Sequence, residues 1–287
     1  MTTYDVTART HDEAVAASRP GTRARRRALM AMLEEPGGLT NRHLAGTFGV
    51  SESTIRRDLR ALAADRQVLR VYGGALGLSR PEVRWHEKEH AQARAKRSIA
   101  QAAARLVANG EVVLLDAGTS TAALAAALAG NETLTLAVIG LSALVAAADG
   151  KAELLVIGGR LRRPNAGVTG TFSEMMLDIV QPTTSFIGCD SLDPDRGLNC
   201  PDFDQATLKT RNMARTPANW VLADHTKFGR PASFAYWAVL APTTGIITDD
   251  LTLETSPEVV ERLRGLGHEV LVASHVGDAE LLDRPDS

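Results

Sequence analysis

The chain is poor in cysteine and aromatic residues. Two Cys, three Trp, three Tyr and six Phe occur in 287 residues. Cys189 and Cys200 cannot build a disulfide-stapled scaffold, and their scarcity fits a reducing cytoplasm. No apolar run reaches the roughly 18 residues that a membrane helix needs, so no membrane partner is expected. The first twenty residues lack the apolar core of a secretory signal. The seven His and two Cys show no paired ligand spacing, so no metal site is expected, and no cofactor is expected either. Apolar residues make up 44% and charged residues 23%, an ordinary globular balance that excludes wholesale disorder. The length allows two domains.

The small net charge of −2 conceals an asymmetry. From Arg19 to Ala75 there is no lysine, but eleven arginines stand against five acidic residues, a net of +6. Residues 76–110 carry seven basic and three acidic side chains, +4, and from Glu111 onward thirteen basic face twenty-three acidic, −10. A basic head on an acidic body is the pattern of a chain whose head alone meets a polyanion.

Within the head, residues 1–20 read as a disordered tail ending at Pro20-Gly21. A first helix is expected from about Thr22 to Glu34, burying Leu29, Met32 and Leu33. Thr40 is placed to cap a short second helix, Gly49 to end it in the left-handed conformation, and Ser51 to cap a third helix running to about Asp65. On that third helix Ile55, Leu59 and Leu62 share one stripe, with Ser53, Arg56, Arg57 and Arg60 on the opposite arc. An apolar back and an arginine front are what a recognition helix needs to enter a major groove. Ser51, Ser53 and Thr54 are short enough for close approach to DNA, and Arg42 lies on the preceding helix. Val68 to Tyr72 read as a strand turning at Gly73-Gly74, a wing that offers Arg70 and Tyr72 to the DNA backbone or minor groove.

The stretch LTNRHLAGTFGVSESTIRRDLRALAADRQVLRVYGGAL resembles the winged helix-turn-helix of the DeoR family of bacterial repressors. The resemblance rests on Val50-Ser51 followed by Thr54-Ile55-Arg56-Arg57-Asp58-Leu59, and on Tyr72-Gly73-Gly74-Ala75, where the family carries His in place of Tyr72. The winged head is set at 21–76, with the helix-turn-helix at about 39–60. A polar linker is expected at 77–95, with Trp85 as a packing anchor, and a helix from about Arg94 to Asn109. Lys96-Arg97-Ser98-Ile99-Ala100 matches the family's Lys-x-x-Ile-Ala, whereas Lys88 stands where the family has Arg.

The remaining 96–287 alternate short apolar runs with helical patterns, which implies a mainly parallel α/β sheet with ligands at the carboxyl ends of its strands. Strands are expected at 112–116, 133–139, 153–157, 183–189, 220–224, 245–248 and 269–273, and helices near 120–129, 141–148, 172–180, 203–214 and 256–265. The strand ends offer Asp116-Ala117-Gly118-Thr119-Ser120-Thr121, where hydroxyls and free helix N–H groups can cradle a phosphate. They also offer Gly158-Gly159 with Arg162, Gly188-Cys189-Asp190, and Asp224 to Lys227, with Lys209 on a following helix. This body resembles the DeoR-family sensor domain, a fold similar to ribose-5-phosphate isomerase. The resemblance implies an effector pocket for a sugar phosphate lined by Asp116 to Thr121, Gly188 to Asp190, Lys209 and Lys227. Two departures fall at that pocket: Ile139-Gly140 in place of Thr-Asn, and Gln205 in place of a glutamate.

The resulting expectation is a cytoplasmic, non-enzymatic repressor of a carbohydrate-metabolism operon. It would bind double-stranded operator DNA as a homodimer or homotetramer, and a phosphorylated sugar or related metabolite would modulate that binding. Two other classes fit the residues. One is a sugar-phosphate isomerase-like enzyme with a DNA-binding appendage, against which Gln205 argues because it cannot titrate, although Asp190 could serve as the base. The other is a DNA binder whose body senses nothing.

Overall fold

The computed structural model describes residues 21–34, 39–64, 68–71, 74–77, 84–163, 165–229 and 234–274. The expected tail at 1–20, together with Tyr72, lies outside them. The head is built from α1 (Thr22–Glu34), β1 (Leu39–Thr40), α2 (Asn41–Phe48), α3 (Glu52–Ala64), β2 (Val68–Val71) and β3 (Gly74–Gly77). Leu29 and Leu33 of α1, Leu44 of α2, and Ile55, Leu59 and Leu62 of α3 form its core. At about 1.5–3 kcal/mol for each large side chain fully removed from water, this small cluster supplies most of the drive for the three helices to associate.

Local signals set the helix ends. The Thr40 hydroxyl accepts from the His43 N–H at 3.1 Å, and Ser51 Oγ accepts from the Thr54 N–H at 3.2 Å. Gly49 sits at φ 61° and closes α2, after which the Val50 N–H bonds the Ala45 carbonyl at 3.1 Å. A residue with a Cβ would be strained there. The wing is antiparallel in the order β1-β3-β2, with β1 a short strand absent from the expected pattern.

Two helices follow, α4 (Trp85–His90) and α5 (Ala93–Ala104). The stretch expected as linker therefore contains a helix, and α5 ends five residues before Asn109. Gln92, between the two helices, has φ 55°, a left-handed joint at a non-glycine residue.

The rest of the chain runs through β4 (Val112–Leu115), α6 (Thr119–Leu128), β5 (Thr135–Val138), α7 (Leu141–Ala147), β6 (Glu153–Val156), β7 (Arg160–Arg162), β8 (Gly167–Thr169) and α8 (Thr171–Ile179). It continues through β9 (Thr184–Gly188), β10 (Ser191–Asp193), β11 (Gly197–Cys200), α9 (Phe203–Arg215), β12 (Ala218–Leu222), a 3-10 turn at His225–Lys227, and β13 (Tyr236–Ala238). It closes with β14 (Thr244–Asp249), α10 (Leu251–Thr255), α11 (Pro257–Gly265) and β15 (Val270–Ala273). The seven expected strands form one parallel sheet in the order β15-β14-β12-β9-β4-β5-β6. Alternation along β4 shows how both faces are covered. Val113 and Leu115 pack with Ile99 of α5, Leu124 of α6 and Ala143 of α7, while Leu114 packs with Leu177 of α8 and Leu208 of α9. Among the described residues, no helix is long and apolar enough to cross a membrane.

Candidate functional site

The third helix of the head presents the arc its sequence demands. Ile55, Leu59 and Leu62 are buried, whereas Ser51, Ser53, Arg56, Arg57 and Arg60 are exposed, as is Arg42 on α2; Thr54 is half-buried. Arg56 leans on Glu52 at 3.1 Å, one turn back. Among the described residues Arg57 and Arg60 have no carboxylate partner, so their guanidinium forks are available to phosphates or guanine edges. Asp58 faces inward. It is 2% exposed and accepts from Arg25 Nε at 2.6 Å and Arg26 Nε at 3.0 Å, tying α3 to α1. Arg70 lies on β2 of the wing.

In the body, the direction of winding reverses between β4 and β9. From β4 the chain proceeds outward to β5 and β6, and from β9 it proceeds the other way to β12, β14 and β15. At such a reversal the connections diverge and leave a crevice beyond the carboxyl ends of the strands. That crevice is a cleft walled by Ala117, Gly118, Thr119 and Ser120 after β4 and by Gly188, Cys189 and Asp190 after β9. Gln205 and Lys209 of α9, Lys227 of the 3-10 turn, Trp85 and Lys88 of α4, and Lys96 of α5 complete it, with Asn165, Asn199 and Pro201.

The two strand ends are fastened together behind the cleft. Lys209 Nζ pairs with Asp116 and donates to the Gly188 carbonyl at 2.5 Å, while Asp116 Oδ2 accepts from the Gly188 N–H at 3.2 Å. Burial alone would lower the Lys209 pKa, but Asp116 outweighs it and holds the ammonium above its ordinary range. The Thr121 hydroxyl is spent on the carbonyls of Asp116 (2.6 Å) and Gly118 (2.9 Å), and Ser142 of α7 donates to Gly118 at 3.1 Å. These bonds hold the loop that opens α6, whose first N–H groups have no helical acceptor and meet the cleft.

On the opposite wall, Lys88 pairs with Asp190. Burial would push the Asp190 carboxyl up, yet Lys88, with Lys227 and Lys209, holds it below its usual value. Lys96 is buried and donates to the carbonyls of Lys88 (2.5 Å) and Ala91 (2.6 Å), clamping the α4–α5 joint. Burial lowers its pKa to about 8, opposed by Asp224 and reinforced by Lys227 and Lys88. The Lys227 ammonium and the Gln205 amide have no side-chain partner among the described residues. The cleft therefore holds two lysines, Lys96 and Lys227, with no carboxylate bound to them, beside a helix N-terminus. The charge left uncompensated there is positive. Cys189 and Cys200 are free thiols, and burial pushes both up to about 12. Among the described residues, no group of three or more His, Cys, Asp or Glu is arranged for a metal ion.

Of the expected pocket residues, Gly118, Thr119, Ser120, Gly188, Asp190, Lys209 and Lys227 line the cleft. Asp116 and Thr121 act from behind as fasteners. Gly158, Gly159, Arg162 and Asp224 are not brought to its wall. Gly158 and Gly159 pack on α8, where Ser173 Oγ donates to the Gly158 carbonyl at 2.8 Å and any Cβ on Gly159 would lie 2.3 Å from that same hydroxyl oxygen. Arg162 pairs with Asp202, whose carboxylate caps α9, and Asp224 caps the 3-10 turn through the Thr226 N–H at 3.1 Å. Trp85, Lys88 and Lys96 were not expected to line a pocket. One signal did exist: Lys96, Ile99, Ala100 and Ala103 fall on a single buried helical stripe, and a lysine there must serve something.

A winged helix-turn-helix with an arginine front, joined to a parallel α/β unit with a cationic cleft at its winding reversal, is the architecture of a DNA-binding regulator. Residues 25–80 match the DeoR-like helix-turn-helix domain and residues 91–250 the DeoR C-terminal sensor domain. The chain belongs to the DeoR family of transcriptional regulators. It is 32% identical over 215 residues to the putative aga operon transcriptional repressor of Escherichia coli, covering 73% of this chain and 80% of that one. It is 29% identical to the HTH-type transcriptional regulator GlpR of Haloferax volcanii, over 83% and 93% of the two chains. The glycerol-3-phosphate regulon repressor of Escherichia coli is 28% identical over 72% of this chain and 83% of its own.

Proposed function

We propose that the chain is a repressor that binds double-stranded operator DNA through α3 and the wing, as a homodimer or homotetramer, and that a phosphorylated sugar or related metabolite in the cleft alters that binding. The observation that carries this reading is the meeting of the α6 N-terminus with Lys227 and Lys96, a built environment for a phosphate group. The names of the aga and glycerol-3-phosphate repressors favour a carbohydrate-metabolism operon. A non-enzymatic role is favoured because Gln205 cannot titrate and Asp190, tied to Lys88 and held ionised, is a weak base. A repressor of this kind would act where the chromosome is, in the cytoplasm.

The switching element is the segment that leads from the wing to α5. Trp85 and Lys88 of α4 belong to the cleft wall, so an anion competing for Lys88 or Lys96 loosens the clamp on α4. To change operator occupancy the ligand must bind the DNA-free and DNA-bound states unequally, by about 1–3 kcal/mol. The test is fluorescence anisotropy of the full chain on the DNA upstream of its own gene, with and without a panel of sugar phosphates. Binding that one compound shifts supports the proposal. Specific binding indifferent to every phosphorylated compound, with no heat of binding in calorimetry, refutes the sensing half and leaves the DNA half standing.

A further inference from the structure

We propose that His225 and Asp249 form a support, outside the cleft, that fixes Lys227 at its wall. The inference rests on the reading of the cleft as an anion-sensing site and concerns what makes Lys227 effective there. Lys227 ends the 3-10 turn His225–Lys227 that follows β12. So short a turn makes too few internal hydrogen bonds to hold its own place, and the lysine ammonium is a point charge on a flexible stem. The position of that charge is therefore set by whatever grips the turn.

Asp249, the last residue of β14, grips it. β14 lies beside β12 in parallel, with Ile247 opposite Leu222, so both strands open at the same edge of the sheet. Asp249 Oδ1 accepts from the His225 N–H at 2.6 Å, and Oδ2 pairs with His225 Nδ1 at 2.7 Å. One carboxylate thus holds the main chain and the side chain of the same residue, which fixes the rotation of the turn as well as its place. Asp249 is fully buried and the His225 side chain is 15% exposed, so water has little access to either bond. A carboxylate is costly to bury unless it is hydrogen-bonded, and here what it bonds is the turn. Neither residue lines the cleft, to which Lys227 belongs. Beyond Lys227, Phe228 is buried in the core with Val221 and Ile246, and before it Asp224 accepts from the Thr226 N–H at 3.1 Å. From a turn held at both ends, the Lys227 charge acts on two cleft residues. At Lys96 it adds to the lowering that burial causes, and at Asp190 it works against burial, adding to the pull of Lys88.

A double-mutant cycle on the full chain tests this with two readings. The first needs no ligand: NMR of isotope-labelled lysines follows the Lys96 Cε shift with pH, and its midpoint, about 8 with Lys227 in place, should rise in Lys227→Met. The second is calorimetry with inorganic phosphate, whose affinity should fall roughly tenfold in Lys227→Met, the loss of one charge-assisted hydrogen bond. His225→Ala should move both readings in the same direction, and should move neither further in the Lys227→Met background. His225→Asn, whose Nδ2 can take the place of Nδ1 beside Asp249, should keep the wild-type readings. Should His225→Ala lose the fold of the body, Asp249→Asn takes its place in the cycle, since it keeps the shape and withdraws the acceptor facing Nδ1. The inference is overturned by a Lys96 midpoint that stays at the wild-type value in His225→Ala, or by His225→Asn behaving no better than His225→Ala. A loss of phosphate affinity that persists undiminished on top of Lys227→Met overturns it too, because that is the mark of a merely structural role. The Lys96 reading involves no anion, so a wild type that binds no phosphate counts against the sensing reading, and the titration alone then decides whether the support exists.

Discussion

Removing the Asp58 carboxylate should cost the reading head more stability than any change on its arginine front. The carboxylate is 2% exposed and bonds the 7%-exposed Arg25 and, on its other oxygen, Arg26. In Asp58→Ala the Arg25 guanidinium stays buried without its carboxylate, and breaking one partner of such a pair costs about 3–5 kcal/mol. A head of nearly sixty residues has a stability of only about 3–9 kcal/mol by the usual per-residue scale. The variant should therefore have a largely unfolded head on an intact body. Hydrogen exchange of the full chain reads this directly: protection at amides of α1, α2 and α3 should collapse while β4, β9 and β12 keep theirs, and operator binding should vanish with it. Replacing both partners, Arg25→Met with Asp58→Leu, removes the buried charges together and should restore protection. Retention of wild-type protection across α1 and α3 in Asp58→Ala would refute the reasoning, because the pair would then contribute nothing to holding the helices together.

Three further outcomes follow from the site. Arg57→Ala and Arg56→Ala should each weaken specific operator binding by about 1–3 kcal/mol if bidentate to a base, the loss in Arg56→Ala being the smaller because Glu52 already holds that guanidinium; anisotropy titrations at fixed salt check it. Affinity for a phosphorylated ligand should fall as pH rises, because free Lys96 titrates near 8 while an anion beside it favours the charged form and restores a value nearer the ordinary 10.5; this is roughly 20-fold between pH 7.5 and 9.5, and calorimetry on Lys96→Met should show a flat profile over that range. Gly140→Asn alone should destabilise the body by about 1–3 kcal/mol, since a Cβ there would lie 2.7 Å from Ala117 Cα, and Ala117→Gly should recover part of that loss in thermal melts.

What the sequence conveyed and what it withheld divide along a physical line. Short-range signals carried well: Thr40, Gly49 and Ser51 cap through their own neighbours, so the boundaries of α2 and α3 were readable, and the continuous apolar runs of the parallel strands marked all seven. The residues that reached the cleft from α4 and α5 were harder to see. α4 is barely two turns long and is fastened by contacts far along the chain, Lys88 to Asp190 and the clamp from Lys96, which no local pattern encodes. The short strands β7, β8, β10, β11 and β13 were invisible for a similar reason: three or four residues make too short a period to separate from loop. Conversely, Gly158-Gly159 and Arg162 looked like a ligand loop because glycine and arginine are ambiguous at a strand end. In the fold the glycines give α8 room to pack and the arginine meets the cap of α9. Gly140 reads differently once its surroundings are known. The space a side chain would take there is filled by Ala117, which lines the cleft while Gly140 lies behind it.

One consequence of α4 reaches beyond the protein itself. If a metabolite in the cleft alters operator binding through the segment that leads from the wing, then whatever factor it imposes on operator affinity, operator DNA must impose on metabolite affinity in turn. Molecules of the regulator resting on their operators and molecules free of DNA would then answer to different metabolite concentrations. The threshold at which the operon responds would be set by how many binding sites the chromosome offers as much as by the chemistry of Lys96 and Lys227.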